Sequence, residues 1–233
     1  MPTHQLDHLA ELVDVQEAFG SSIGEVDPRA PVPSCGTWEV HDLVVHLATI
    51  HHWAAAQGRG VDDAPLGPGP FVLGDLYRAC ARELRDTLSE LGPDAIGATL
   101  LGPGPASFWR RRQLHEALVH LWDLRTAGGL GLAVRPPVWA DTVDEVVTVL
   151  HPRQVRLGRM PRLRAPIELA ATDVDRMWRL DSAAGGPAVA RLRAPASVLA
   201  LTLWGRSSPD DPRLEVSGDR TALRAALAGP LTP

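Results

Sequence analysis

The chain contains no lysine and no asparagine, so all 23 of its basic residues are arginine. Without a lysine amine, Schiff-base chemistry and attachment of pyridoxal phosphate are excluded. Cysteine occurs twice, as Cys35 and Cys80. Two cysteines make neither a disulfide framework nor a zinc ribbon, and they suit a reduced, cytoplasmic protein. No apolar run approaches the ~18 residues that a membrane span needs, and the first residues lack a basic-then-apolar signal pattern. A net charge of −5 gives no basic footprint for nucleic acid. Neither a membrane nor a nucleic acid is therefore an expected partner. What is present is 233 residues, 45% hydrophobic and 22% charged, which suits a soluble globular chain of one large or two modest domains. The bias towards Ala, Arg, Gly, Pro and Val is that of a GC-rich genome.

The first half reads as four helices. Leu6, Leu9, Leu12 and Val13 open an amphipathic helix that ends near Gly20. Thr37 is a candidate N-cap for a second helix to about Gln57, with Val40, Leu43, Val44, Leu47 and Ile50 on one stripe. Gly and Pro crowd residues 58–70. A third helix runs from about Phe71 to Leu91. Gly102-Pro-Gly-Pro105 reads as a break before a fourth helix, Ser107 to Thr126. Four helices of this length with Gly/Pro connections predict a four-helix bundle. Beyond residue 135 the character changes. A helix from Trp139 to Leu150 leads into an acid-free stretch with Arg153, Arg156, Arg159, Arg162 and Arg164, which reads as a solvated connector or an attractor of anions. Short strands follow at Ile167–Ala171, Arg176–Leu180, Ala188–Leu192 and Leu214–Ser217. Pro195–Trp204 reads as a helix between the last two, and a final helix starts near Asp219. The fold class expected is α+β.

The chemistry-bearing stretch is Arg112-Gln-Leu-His115-Glu116-Ala-Leu-Val-His120-Leu-Trp-Asp123. Residues four apart lie roughly 40° apart around a helix, so Glu116 and His120 project together. With His46 from the second helix they make a three-ligand set with a position left open, as catalytic zinc is usually held. H-E-x-x-x-H is one residue longer than the zincin motif, and His115 lies roughly 140° from His120, which argues against His115 as a ligand. Asp42, one turn before His46, could orient its ring or simply favour the helix start. His51 and His52 read as helix-end or pocket-rim residues. Arg112, Glu116, His120 and Asp123 form one polar stripe, which is also how a solvated helix face reads. The spacing alone leaves both readings open.

Trp38 followed by Asp42-Leu43 and His46-Leu47, then Arg111-Arg112-Gln113, His115-Glu116, Val119-His120 and Trp122-Asp123, resembles the mycothiol-dependent maleylpyruvate isomerase family. Its N-terminal domain is a DinB-like metal-binding four-helix bundle. Ala171-Thr172-Asp173 with Trp178, Leu203-Trp204-Gly205-Arg206, and Leu214-Glu215-Val216 with Gly218-Asp219 resemble the family's small sterol-carrier-like α+β domain. The resemblance implies a bundle over residues 1–135 and the second domain over 136–233. It departs from the family at Ser34-Cys35-Gly-Thr-Trp38, which lacks the proline common before the tryptophan. By position the metal ligands fall on His46, Glu116 and His120. Arg206 and Asp123 become the candidates for catalysis, and Arg112 and Asp123 for binding the thiol.

The implied cofactors are a divalent metal, zinc by donor type, and mycothiol as cosubstrate, acting on a small anionic electrophile in a monomer or homodimer. A thiolate generated at the metal would add to a conjugated cis double bond, the resulting single bond would rotate, and the thiolate would leave. Addition without elimination would make an S-transferase. The alternatives are a thiol-independent metal hydrolase or lyase and a non-catalytic metal- or ligand-binding module. Zinc-binding anti-sigma factors use a C-x-x-C that this chain lacks.

Overall fold

The computed structural model describes residues 6–62, 65–181 and 185–233. Residues 63–64 of the Gly/Pro-rich loop therefore lie outside the described residues. The chain divides into two compact units, Met1–Leu132 and Ala133–Pro233.

In the first unit, α1 (His8–Ser22) starts where the Asp7 carboxylate accepts from the backbone N–H groups of Leu9 and Ala10. The second helix, α2 (Val40–Arg59), is capped by Glu39 rather than Thr37. Glu39 and Asp42 form a reciprocal capping box, in which the Asp42 carboxylate accepts from the Glu39 N–H at 3.0 Å. Asp42 thus closes the helix start. Gly60, with φ of 67°, ends α2 in the left-handed conformation that a side chain would resist. A strongly amphipathic α3 (Leu73–Leu91) buries Tyr77, Cys80, Ala81, Leu84 and Leu88. Then comes a hairpin where the sequence predicts a break, β1 (Ile96–Thr99) and β2 (Gly102–Pro105), in register from Ile96 opposite Pro105 to Thr99 opposite Gly102. Gly and Pro hid it, because both weaken strand interiors. Helix α4 (Ser107–Ala127) is buried on nearly every side, with its apolar residues Trp109, Leu114, Leu118, Leu121 and Leu124 in the core. It packs on α1 and α2, while α2 packs on α3.

In the second unit, α5 (Pro136–Glu145) begins with prolines in its first turn, where no N–H is needed. It runs into a π-helical turn, Val146–Leu150, and then α6 (His151–Arg156). The His151 N–H reaches back five residues to the Val146 carbonyl. Pro152, next in the chain, has no N–H with which to continue the α-helical ladder. The arginine run therefore starts inside a helix. A four-stranded sheet follows in the order β4 (Met177–Leu180), β3 (Ile167–Ala171), β5 (Ala190–Ala194), β6 (Glu215–Gly218), with β3 and β5 parallel and the other pairs antiparallel. Along β5, Ala190, Leu192 and Ala194 point inward and Arg191 and Arg193 outward. This strand lies two residues later than its apolar start at Ala188 suggested. Apolar helix α7 (Ala196–Leu203) packs against α5, its first N–H held by the Asp173 carboxylate at 2.8 Å. Asp219 caps α8 (Arg220–Leu227). Among the described residues no helix is long and apolar enough to cross a membrane.

The hairpin is pinned by Trp109, whose indole N–H donates to the Ala98 carbonyl at 2.7 Å. It also lies so close to the end of α2 that a β-carbon on Gly97 would collide with the backbone carbonyls of Gln57 and Gly58. Gly97→Ala should therefore cost about 1–3 kcal/mol of stability, measured by urea denaturation. Gly104→Ala, where an added carbon meets mainly the Thr99 methyl, should cost distinctly less. Equal losses would show that the close approach is not a constraint.

Candidate metal centre

Helix α4 carries Arg112, Glu116, His120 and Asp123 down one side, and α2 faces them with His46. The stripe is not a solvated face. Arg112 is 3% exposed, His120 5% and Asp123 0%. One Glu116 oxygen, Oε2, accepts from the Arg112 guanidinium at 2.6 Å. The other, Oε1, lies 3.3 Å from His120 Nε2 and 3.8 Å from His46 Nε2. These three donor atoms all fall within 4.8 Å of one another. The two imidazole rings stand nearly perpendicular, 5.2 Å apart, and Trp38 stacks against His46 at 4.8 Å.

Asp123 works from behind. Its Oδ2 is 2.9 Å from His120 Nδ1, which holds the proton on that nitrogen and leaves Nε2 facing Glu116. Asp123 is itself fixed by the Ser34 hydroxyl, which donates to Oδ1 at 2.5 Å, and by the Cys35 thiol at 3.6 Å from Oδ2. Ser34 and Cys35 arrive on a compact loop. The Val32 N–H bonds to the Trp38 carbonyl, the Cys35 N–H to the Val32 carbonyl, and Gly36 turns with φ of 67°. Neither residue is predicted in the site by the spacing of the sequence. The one signal for them is the Ser-Cys-Gly turn before the His46 helix. Cys35, His120 and Asp123 form a second converging trio, but there His120 Nδ1 is already engaged by the carboxylate.

The electrostatics follow from burial against pairing. Burial pushes the Glu116 carboxyl upward, yet the Arg112 charge and the hydrogen bonds to His120 and His46 hold it well below the usual carboxylate range. Burial opposes charge on His120, but the hydrogen bonds to Asp123 and Glu116, with their negative charges, lift it to about 9. Two imidazole nitrogens and an ionised carboxylate oxygen, converging on one point with the far sides of His120 and Glu116 engaged by Asp123 and Arg112, fit a divalent cation.

The other candidates lie elsewhere. His51 is neither at a helix end nor at a rim. It is fully buried, with Nδ1 2.7 Å from Gln113 Oε1. Burial drives it down to about 4, only partly offset by that hydrogen bond. His52 pairs with Glu83 at 2.6 Å. His115 is buried against His8, with 6.4 Å between their ring centres. Arg206 belongs to the C-terminal unit. It follows Gly205, which has φ of 70°, and its guanidinium donates to the Trp204 carbonyl at 2.9 Å and lies 5.8 Å from the centre of the Trp204 ring.

Two family models match. That of the mycothiol maleylpyruvate isomerase N-terminal domain covers residues 9–125, and that of the same family's C-terminal domain covers residues 138–225. The chain belongs to the mycothiol maleylpyruvate isomerase family. Among solved structures it is similar to the mycothiol-dependent maleylpyruvate isomerase, at 16% identity and a TM-score of 0.63, with 91% of this chain and 93% of that one covered. It is also similar to a histidine-to-alanine variant of that enzyme, at 15% identity and a TM-score of 0.60, with the same shares covered. At such identities the likeness shows a shared fold. No curated protein matches the chain by sequence.

In this member of the isomerase family, the His120 ring of the metal-free protein should titrate near 9, above the ~6.5 of a free histidine. Because the folded value is the raised one, its stabilising contribution is complete below about 6.5 and fades as pH rises through 9. Asp123→Asn removes the carboxylate charge behind the ring and should lower that titration, as followed by NMR of the imidazole protons. An unchanged value would mean that Asp123 does not govern the His120 proton.

Proposed function

We propose that the protein is a divalent-metal enzyme that uses a low-molecular-weight thiol, mycothiol in its family, to isomerise a small, anionic, conjugated cis-enoic acid. The observation that carries this reading is the convergence of His46 Nε2, Glu116 Oε1 and His120 Nε2 within 4.8 Å. These three would hold the ion, and zinc suits their mixed nitrogen and oxygen donors. An ion held by three protein ligands supplies an open position at which a thiol can lose its proton near neutral pH.

The surrounding residues have separable tasks. Arg112 keeps Glu116 ionised and aims Oε1 at the two imidazoles. Asp123 sets the His120 tautomer and is kept in place by Ser34 and Cys35. The Trp38 ring limits the movement of His46 and removes water from one of its faces. In this reading Asp123 serves catalysis by positioning His120, and Arg112 contributes to thiol binding through Glu116. Arg206 supplies a cation for a substrate carboxylate or for the enolate charge that develops on addition.

Metal content measured by mass spectrometry tests the first half. Wild type should carry about one equivalent of zinc or a similar ion, and His46→Ala, Glu116→Ala and His120→Ala should lose it while keeping their helical circular dichroism. A metal-free wild type, even after reconstitution, would remove the basis of the proposal. Turnover of maleylpyruvate with added mycothiol tests the second half. Arg206→Ala should keep its metal but lose activity by roughly 100-fold, the usual effect of removing one donor from a developing anion. Unaltered turnover would take Arg206 out of the reaction, and a stable thiol adduct in place of the trans isomer would make the protein an S-transferase.

A further inference from the structure

One buried polar bond in the N-terminal unit belongs to neither the metal cluster nor a helix cap, and stability alone does not account for it. His51 on α2 and Gln113 on α4 are 0% and 1% exposed, and the His51 Nδ1–H donates to the Gln113 amide oxygen at 2.7 Å. The other ring nitrogen, Nε2, is buried without a hydrogen bond. An unmatched group of that kind costs on the order of 1–3 kcal/mol, and two apolar side chains of similar volume would fill the seam without that cost. What such a pair supplies is register. A directional bond holds at one alignment of two helices, whereas apolar side chains pack acceptably at several.

The pair lies where register matters. Along the antiparallel seam of α2 and α4, the rings of Trp53 and Trp109 meet edge to face at 5.1 Å. The His51–Gln113 bond comes next, and His46 then faces Glu116 and His120. His51 follows His46 by about 7.5 Å along α2, and Gln113 precedes Glu116 by about 4.5 Å along α4. Around α2, His51 points roughly 140° away from His46, so the bond grips the far flank of the helix that carries the donor atom. Sliding α2 along α4, or rolling it to swing His46 Nε2 away from Glu116 Oε1, would break the bond.

We propose that the His51–Gln113 bond is a positioning device for the metal centre. It locks the alignment of α2 on α4, and with it the distances from His46 Nε2 to Glu116 Oε1 and His120 Nε2. Neither residue is a ligand. The consequence for metal binding rests on the metal site proposed above, whereas the alignment itself does not.

Two measurements on the full-length protein test this together. One is zinc affinity by competition with a chelator. The other is NMR cross-relaxation between the His46 and His120 ring protons of the metal-free protein, whose rings stand 5.2 Å apart. The double variant His51→Leu, Gln113→Val exchanges both partners for apolar groups of similar size. Its urea midpoint should stay or rise, while zinc binds about tenfold to 100-fold more weakly and the cross-peak fades. Gln113→Met, which keeps the side-chain length without the carbonyl, avoids repacking His51 and should weaken zinc in the same way. Leu84→Val, which loosens the buried core from α3, should lower the midpoint and leave zinc affinity as it is. Wild-type zinc affinity or an undiminished cross-peak in the His51 and Gln113 variants would overturn the positioning role, and so would equal weakening in Leu84→Val. A wild type that takes up no zinc would overturn the metal reading instead, and the alignment would then stand or fall on the cross-peak.

Discussion

Glu116 is a carboxylate held largely out of water between one guanidinium and two imidazoles. Burying such a charge costs several kcal/mol unless close partners repay it, and here Arg112 does so from one turn away on the same helix. The rest of the bundle is arranged around that bargain. Helix α4 has to be central, so that the pair is shielded, and it is accordingly buried on nearly every side. Helix α2 has to enter at the right height to bring His46 opposite, and its start is fixed by the Glu39–Asp42 box. The loop before it has to reach Asp123, and Gly36 permits the turn that allows this.

Much of this was legible in the sequence, for a physical reason. Periodicity exposes any helix with an apolar stripe, so the four bundle helices could be read directly, and i,i+4 spacing placed Glu116 and His120 on one side. What periodicity cannot tell is whether a polar stripe faces water or a neighbouring helix. That answer lies in the packing of α1 and α2 against α4. The hairpin escaped because its strands are made of the residues that usually end strands. The Thr37 cap was misplaced because Glu39 and Asp42 cap each other reciprocally, a pairing that outcompetes a lone hydroxyl two residues earlier. Ser34 and Cys35 act across 89 and 88 residues of sequence to Asp123, a separation at which no local pattern speaks. His51 shows the opposite failure. Its position beyond His46 suggested an end, whereas Gln113 on α4 keeps it within the core.

The second unit follows a different logic. Its sheet carries alternating arginines on the outer face of β5 and apolar residues within. Single buried-end contacts tie helices to strands: Asp144 accepts from the Trp178 indole at 3.0 Å, and Asp173 caps α7. Asp173 lies in a stretch the sequence already marks, with Ala171 and Thr172, whereas the role of Asp144 emerges only from the Trp178 indole that it meets. Arg206 is positioned by the left-handed Gly205 that ends α7, which turns the chain and sends the arginine back along the Trp204 ring.

Two of the three converging donor atoms ride on α4, and the third comes from α2. Within α4 their separation is set by the helical repeat and is nearly rigid. The one adjustable dimension of the cluster is thus the gap between two helices, which works like the jaws of a calliper. That gap is set by the packing of α2 against α4. If the proposed ion is held there, its size preference would follow from the packing between α2 and α4 and not from the three donors alone.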